Sequence, residues 1–324
     1  MAEVPKYEAP KDVVPATPRA IKMAPLKDLP TPYTPGAVGA VPLPSAKPPD
    51  VAFGAYQRGQ YATAFREATQ RIAADPKDAA AMTLLGELYN QGLGVRQDAV
   101  KAAEWYRLAA AQGDGHAMAA LGLMAMDGRG GPKDQKGGRA WLEKAAEKGD
   151  ATAAYNLGLL LLGTGAQADL VKAASLFQKA ADNEIGAAQH NMGVLYLQGR
   201  GVAKDPAKAA EWFRRAADNG DLAGEVEFAI LLFNGTGLPK DEIRAARYFA
   251  HAASRGNAIA QNRLSRLYTV GRGVPKNLVE AAAWNLSASA QGLTDAWLDQ
   301  ALTGISAEER ARAERLAADR ANVN

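Results

Sequence analysis

The chain of 324 residues contains no cysteine. That absence excludes disulfides, thiolate metal sites and a cysteine nucleophile. Histidine is almost as scarce: there are three, His116, His190 and His251. None has a partner at the i, i+4 spacing of a helical metal pair, so no zinc motif can be built from them. Charge of either sign is not in excess. Lys+Arg is 38 and Asp+Glu is 35, a net of +3, which argues against a strongly basic nucleic-acid binder and against an acidic tail. No apolar run approaches the roughly 18 residues of a membrane-spanning helix; the longest leucine stretch is residues 159–162. Met1-Ala2-Glu3-Val4-Pro5 lacks the basic start and apolar centre of a signal peptide.

Proline is present but confined. Twelve of the 17 prolines fall in residues 1–50, and no helical or strand period survives there. Proline removes amide donors and holds its predecessor extended. Residues 1–50 are therefore expected to be a disordered, Pro-rich tether with polyproline II character. A Pro-rich recognition ligand around Thr31-Pro32-Tyr33-Thr34-Pro35 is the weaker alternative.

From residue 79 the chain repeats. Units begin at Ala79, Gly115, Ala151, Gly186, Leu222 and Ala258, with lengths of 36, 36, 35, 36, 36 and 36 residues. Self-similarity at such a period is the signature of repeat architectures. The short unit loses a residue just before Gly163. Trp105, Trp141, Trp212 and Trp284 share one position, which Phe177 and Tyr248 are expected to fill in the other two units. A Gly-x-Gly pair recurs in all six, from Gly92/Gly94 to Gly163/Gly165 and Gly271/Gly273.

Each unit reads as two helices. The first carries small or apolar residues at helical spacing, as in Ala81, Leu85, Leu88 and Tyr89. A small residue follows the leucine or its equivalent (Gly86, Gly122, Gly158, Gly193, Ala229, Ser265), which implies close approach of a neighbouring helix. Glycine then ends the helix in the left-handed position. Asp98, Asp134, Asp169, Asp205, Asp241 and Asn277 are expected to cap the second helix, with Pro206 in its tolerated first position. Asp114, Asp150, Asp221 and Asn257 are expected to cap the following first helix. Glu184-Ile185 breaks that rule once and predicts an irregular junction.

This consensus resembles the Sel1-like repeat family, relatives of the tetratricopeptide repeats. The fourth unit shows it in Ala188, Met192-Gly193, Tyr196, Gly199-Arg200-Gly201-Val202, Asp205, Lys208-Ala209, Trp212-Phe213, Ala216-Ala217 and Gly220-Asp221. The resemblance covers residues 79–293. Residues 51–78 look like a worn helix pair ending in the cap Asp78. Residues 294–324 hold Trp297 and the capping box Ser306-Ala307-Glu308-Glu309. The expected fold is all-α: a right-handed α-solenoid of helix-turn-helix repeats over residues 51–324, with polar terminal units.

No catalytic constellation stands out. The glycine pairs lack the Gly-Lys-Ser/Thr of a phosphate loop and recur as structural turns. The aspartates recur as caps. No enzyme activity and no cofactor or metal is expected. The informative variation lies elsewhere. Core positions in each first helix are three, seven, ten and eleven; positions two, five, nine and twelve form a separate stripe. At nine and twelve the units read Glu87/Asn90, Leu123/Met126, Leu159/Leu162, Val194/Leu197, Ile230/Phe233 and Arg266/Thr269. Tyr155 and His190 join at position five. The ends are polar and the centre apolar.

Two readings stay open: burial between neighbouring first helices, or an exposed groove on the concave face that binds an apolar protein segment. On the second, Leu123, Met126, Tyr155, Leu159, Leu162, His190, Val194, Leu197, Ile230 and Phe233 are the partner-binding residues. The resemblance implies a protein-binding adaptor, often of bacterial cell envelopes and signalling complexes; from the charge balance and the short apolar runs, no nucleic acid and no membrane span are expected. A structural envelope component binding another envelope protein or a glycan is the alternative. The tether suits a spacer, and Ala2-Glu3 suits what remains after signal cleavage. The expected location is the bacterial periplasm or outer envelope, with the cytoplasm as alternative.

Overall fold

Aspartates at helix starts and glycines at helix ends divide this chain. The computed structural model describes residues 50–323. Among the described residues there are sixteen α-helices and no strand. They are α1 Val51–Gln57, α2 Tyr61–Ala74, α3 Ala79–Gln91, α4 Ala99–Ala111, α5 Gly115–Asp127, α6 Gln135–Glu147, α7 Ala151–Thr164, α8 Gln167–Asp182, α9 Gly186–Gln198, α10 Pro206–Asp218, α11 Leu222–Asn234, α12 Glu242–Ser254, α13 Ala258–Val270, α14 Leu278–Ala290, α15 Ala296–Ala301 and α16 Ala307–Val323. The Pro-rich segment lies outside the described residues except for its last member. Asp50 belongs to the folded part: it accepts the Phe53 N–H at 2.9 Å and pairs with Arg71 at 2.6 Å.

The described residues form two compact units, one ending at Lys148 and the other starting at Gly149. In the first, each helix from α1 to α6 packs on the next. In the second, α7 to α14 do the same, α15 packs on α13, and α16 packs back on α14. Within each unit this is the successive helix-pair packing of an α-solenoid. The core combines alanines with large apolar side chains of the first helices and one large inward side chain from each second helix between α4 and α12: Tyr106, Leu142, Phe177, Phe213 and Phe249 are all buried.

Those large side chains explain the small residue in each first helix. A Cβ on Gly86 would lie 2.6 Å from the Tyr106 ring, and one on Gly158 would lie 2.8 Å from the Phe177 ring. This register corrects the alignment of the short unit. Phe177 matches Tyr106 and Phe213, one place after the tryptophans, so half-buried Leu176 stands in the tryptophan position. The tryptophan position lies at the rim of the core, where Trp212 and Trp284 are buried. Trp105 and Trp141 are half-buried, and cations cover Trp141 (Lys144), Trp212 (Arg215) and Trp284 (Arg320).

The caps follow the expected pattern outside the third repeat. Asp98, Asp134, Asp205, Asp241 and Asn277 each accept N–H groups of the first helical turn. Asp169 does not. With one residue missing, α7 runs on through Gly163 and ends at Gly165, and α8 starts at once. Asp169 therefore sits inside the first turn of α8, where it accepts a hydrogen bond from Thr164 Oγ1 at 2.8 Å. The Gly163/Gly165 pair is likewise not equivalent to the others: Gly165 alone is left-handed. The irregular junction expected at Glu184-Ile185 is present. Glu184 has φ 61°, and Ile185 offers α9 no side-chain cap.

Candidate protein-binding face

Residues two, five, nine and twelve of a first helix are separated by three, four and three places, so they share one stripe. Positions three and seven face the core. Leu121, Leu157, Met192 and Phe228 are buried at position seven. The stripe is placed differently. In the first unit Leu123 and Met126 on α5 are half-buried. Met126 is partly committed to the α5–α6 seam, because its Cγ fills the space left by Gly138.

In the second unit Tyr155 and Leu162 on α7 are half-buried, and Leu159 is 38% exposed. His190, Val194 and Leu197 on α9 and Ile230 and Phe233 on α11 are half-buried. Val194, Leu197, Ile230 and Phe233 lean on the edge of the core formed by α10 to α14. The position-five rings rest on the core aromatics of their own repeats: Tyr155 is 5.9 Å from Phe177 and His190 is 5.6 Å from Phe213, centroid to centroid. None of the ten residues is fully buried, so each has surface left to cover.

The polar ends of the stripe have local causes. Glu87 accepts a hydrogen bond from Tyr106 Oη at 2.6 Å. Burial, and then the Glu87 carboxylate, push the Tyr106 phenol well above its usual range. Asn90 accepts from Arg129 Nη1 at 3.2 Å. Thr269 is buried and donates to the Ser265 carbonyl.

At the other end Arg266 grips Asp295 through Nε and Nη2 at 2.7 and 2.8 Å, and Asn262 donates to the same carboxylate. Burial alone would raise the Asp295 pKa, but the hydrogen bonds from Arg266 and Asn262 outweigh it and hold the group at about 2. Asp295 also caps α15, so the pair fixes that short helix against α13. Arg266 lies over the Trp297 ring at 5.0 Å.

Three contributors were missed by sequence reasoning: Arg263, Arg272 and Trp297. The signal for Arg272 was available. It stands between the two turn glycines, as Arg129 and Arg200 do. Arg129 reaches Asn90 and Arg272 lies over Phe233 at 4.3 Å, so this turn residue covers position twelve of the preceding repeat. Trp297 was legible only as a residue of the terminal segment 294–324.

Six copies of the Sel1 repeat match the chain, at residues 79–114, 115–150, 151–184, 186–221, 225–257 and 258–293. Among solved structures, a Sel1 repeat protein from Oxalobacter formigenes is 31% identical, with a TM-score of 0.63, covering 73% of this chain and 94% of that one. The protein c5321, a protective antigen present in uropathogenic Escherichia coli strains and displaying an SLR fold, is 27% identical with a TM-score of 0.53, covering 84% of this chain and 68% of that one. No curated protein matches. Among the described residues no group of His, Asp and Glu could hold a metal ion, and no helix is long and apolar enough to cross a membrane.

Proposed function

Because the chain belongs to the Sel1 repeat family, whose members mediate protein–protein interaction, we propose that it is a non-enzymatic scaffold whose first helices bind an extended segment of a partner protein. The observation that carries this reading is the state of the ten stripe residues. Val194, Leu197, Ile230 and Phe233 lean on the core, Tyr155 and His190 rest on core rings, and all ten keep accessible surface. Covering such surface yields roughly 25 cal/mol per Å², and anchored side chains lose little further freedom on binding. Interfaces concentrate their energy in a few residues of this kind.

A glycan-binding envelope component would call for a ladder of exposed aromatic rings. The stripe is instead aliphatic at most positions, which favours a polypeptide. We place the protein in the bacterial periplasm or outer envelope, with the Pro-rich segment as a spacer; the reading draws on that composition and on the envelope roles of Sel1-like proteins. The protective-antigen description of c5321 is in keeping with it. Fractionation of source cells decides between this and the cytoplasm. The interaction is tested by in-cell crosslinking of wild type, Leu123→Asp and Leu197→Asp side by side. The same crosslinked partner should be lost from the variants while their helicity is unchanged. An unchanged crosslinking pattern would refute the stripe.

A further inference from the structure

A cavity of about 320 Å³ in the second unit lies between α11, α13 and α15, and its lining carries charge of one sign only. Phe233, Val270 and Trp297 supply apolar wall; Arg263, Arg266 and Arg272 supply three guanidinium groups; no acidic side chain lines it. Cavities elsewhere in the same unit are mixed, as where Glu225 and Asp218 face Arg244, Arg247 and His251.

Two of the three arginines are held in place. Arg266 spends Nε and Nη2 on Asp295 and stacks on Trp297. Arg272 spends the same two nitrogens on Glu242 and stacks on Phe233. Each keeps its Nη1 edge. Glu242 is shared with Lys240 at 2.8 Å, so four cations here face two carboxylates. Arg263 is exposed on α13 and pairs with no carboxylate among the described residues. An arginine brought against an apolar partner without a counter-charge loses hydration and gains nothing. A carboxylate gains a charge-assisted, forked contact.

We infer that this cavity takes an acidic–apolar segment of a partner protein, a large apolar side chain entering between Phe233 and Trp297 with Asp or Glu side chains beside it on the arginines. This rests on the proposed interaction role and adds the chemistry of the segment. An internal segment fits better than a chain terminus, because three guanidinium groups with spare donors exceed what one carboxylate can use. The cavity also opens beside Ile230, so the segment continues onto the half-buried stripe.

The test is selection of a random peptide display library on the full chain, followed by fluorescence anisotropy with the enriched peptides. Enrichment of Asp or Glu next to Leu, Phe or Trp is expected. The dissociation constant should rise about tenfold or more with Arg263→Glu, less with Arg263→Gln, and should rise with salt as screening shortens the reach of the charges. Amidating the peptide's C-terminus should change little; a large loss on amidation would overturn the internal-segment assignment. Enrichment of neutral or basic peptides, no enrichment, or acidic peptides that bind Arg263→Glu unchanged would overturn the inference. Leu197→Asp separates the two readings. Binding lost with Arg263→Glu but not with Leu197→Asp keeps the cavity and removes the stripe; the opposite pattern keeps the stripe and removes the cavity.

Discussion

A Cβ on Gly193 would lie 2.6 Å from the Phe213 ring. The α9–α10 seam closes because one helix gives up a methyl group and the other inserts a fully buried aromatic. In an exposed helix Gly→Ala gains about 1 kcal/mol. Here overpacking should cost about 1–3 kcal/mol, so Gly193→Ala is expected to lower stability. Phe213→Ala should cost about 3–5 kcal/mol, and more than Trp212→Ala, because Phe213 is fully buried whereas the Trp212 ring lies at the rim of the core under Arg215. Urea titrations followed by circular dichroism check the order; a stabilised Gly193→Ala would refute the seam.

The sixth repeat solves the same seam with polar groups. Ser265 stands where Gly193 does and donates to the Ala281 carbonyl at 2.7 Å; Asn285 stands where Phe213 does and donates to Asp299 at 3.1 Å. Asn285→Phe alone should be destabilising, because its ring meets the serine side chain. Combined with Ser265→Gly it should recover, with a favourable coupling of roughly 1–3 kcal/mol between the two changes. Melting curves of the two single variants and the double variant measure it. Additive losses would show that the two positions do not form one seam.

The helix boundaries were readable because each has a chemical marker. Asp98 and Asp205 are caps in sequence and in structure, and the capping box at Ser306 is closed by Glu309. The third repeat was misread because its glycine spacing survives while the geometry does not. Gly163 and Gly165 are still two apart, yet the deletion lets α7 absorb the first. Phe177 was aligned with the tryptophans, although it occupies the position of Tyr106 and Phe213 against the small residue of the first helix. Burial depends on which side of the helix a residue faces, and Tyr106 and Phe213 face inward. The cationic cavity could not be read at all, since Arg263, Arg272 and Trp297 come from different elements and only packing brings them together.

Asp295 makes the docking of α15 sensitive to acid. Its folded pKa, about 2, is below the ordinary 3.8. A depressed carboxylate stabilises the fold above its unfolded value and loses that contribution as pH falls toward the folded one. The stability difference between wild type and Asp295→Asn should therefore be full above about pH 4 and shrink as pH falls toward about 2. Paired denaturant titrations across that range test this. A difference independent of pH would mean that the carboxylate charge contributes nothing to holding α15.

Leu195 and Leu197 on α9 decide whether the stripe is surface or core. Two residues along a helix turn about 200°, so the two side chains leave opposite flanks. Leu195 is 1% exposed, whereas Leu197 is half-buried at the core's edge. Leu195→Asp places a carboxylate where no water or cation can reach it, and such burial costs several kcal/mol; the second unit should lose its cooperative melt. Leu197→Asp can turn its charge to solvent, so a loss of about 1 kcal/mol or less is expected, together with loss of partner crosslinking. The same contrast should hold in the first unit between buried Leu121 and half-buried Leu123. If Leu197→Asp melts as poorly as Leu195→Asp, the stripe belongs to the core and cannot serve a partner. If both Asp variants at Leu123 and Leu197 fold and crosslink like wild type, the stripe is surface but idle, and the partner must be held by another face.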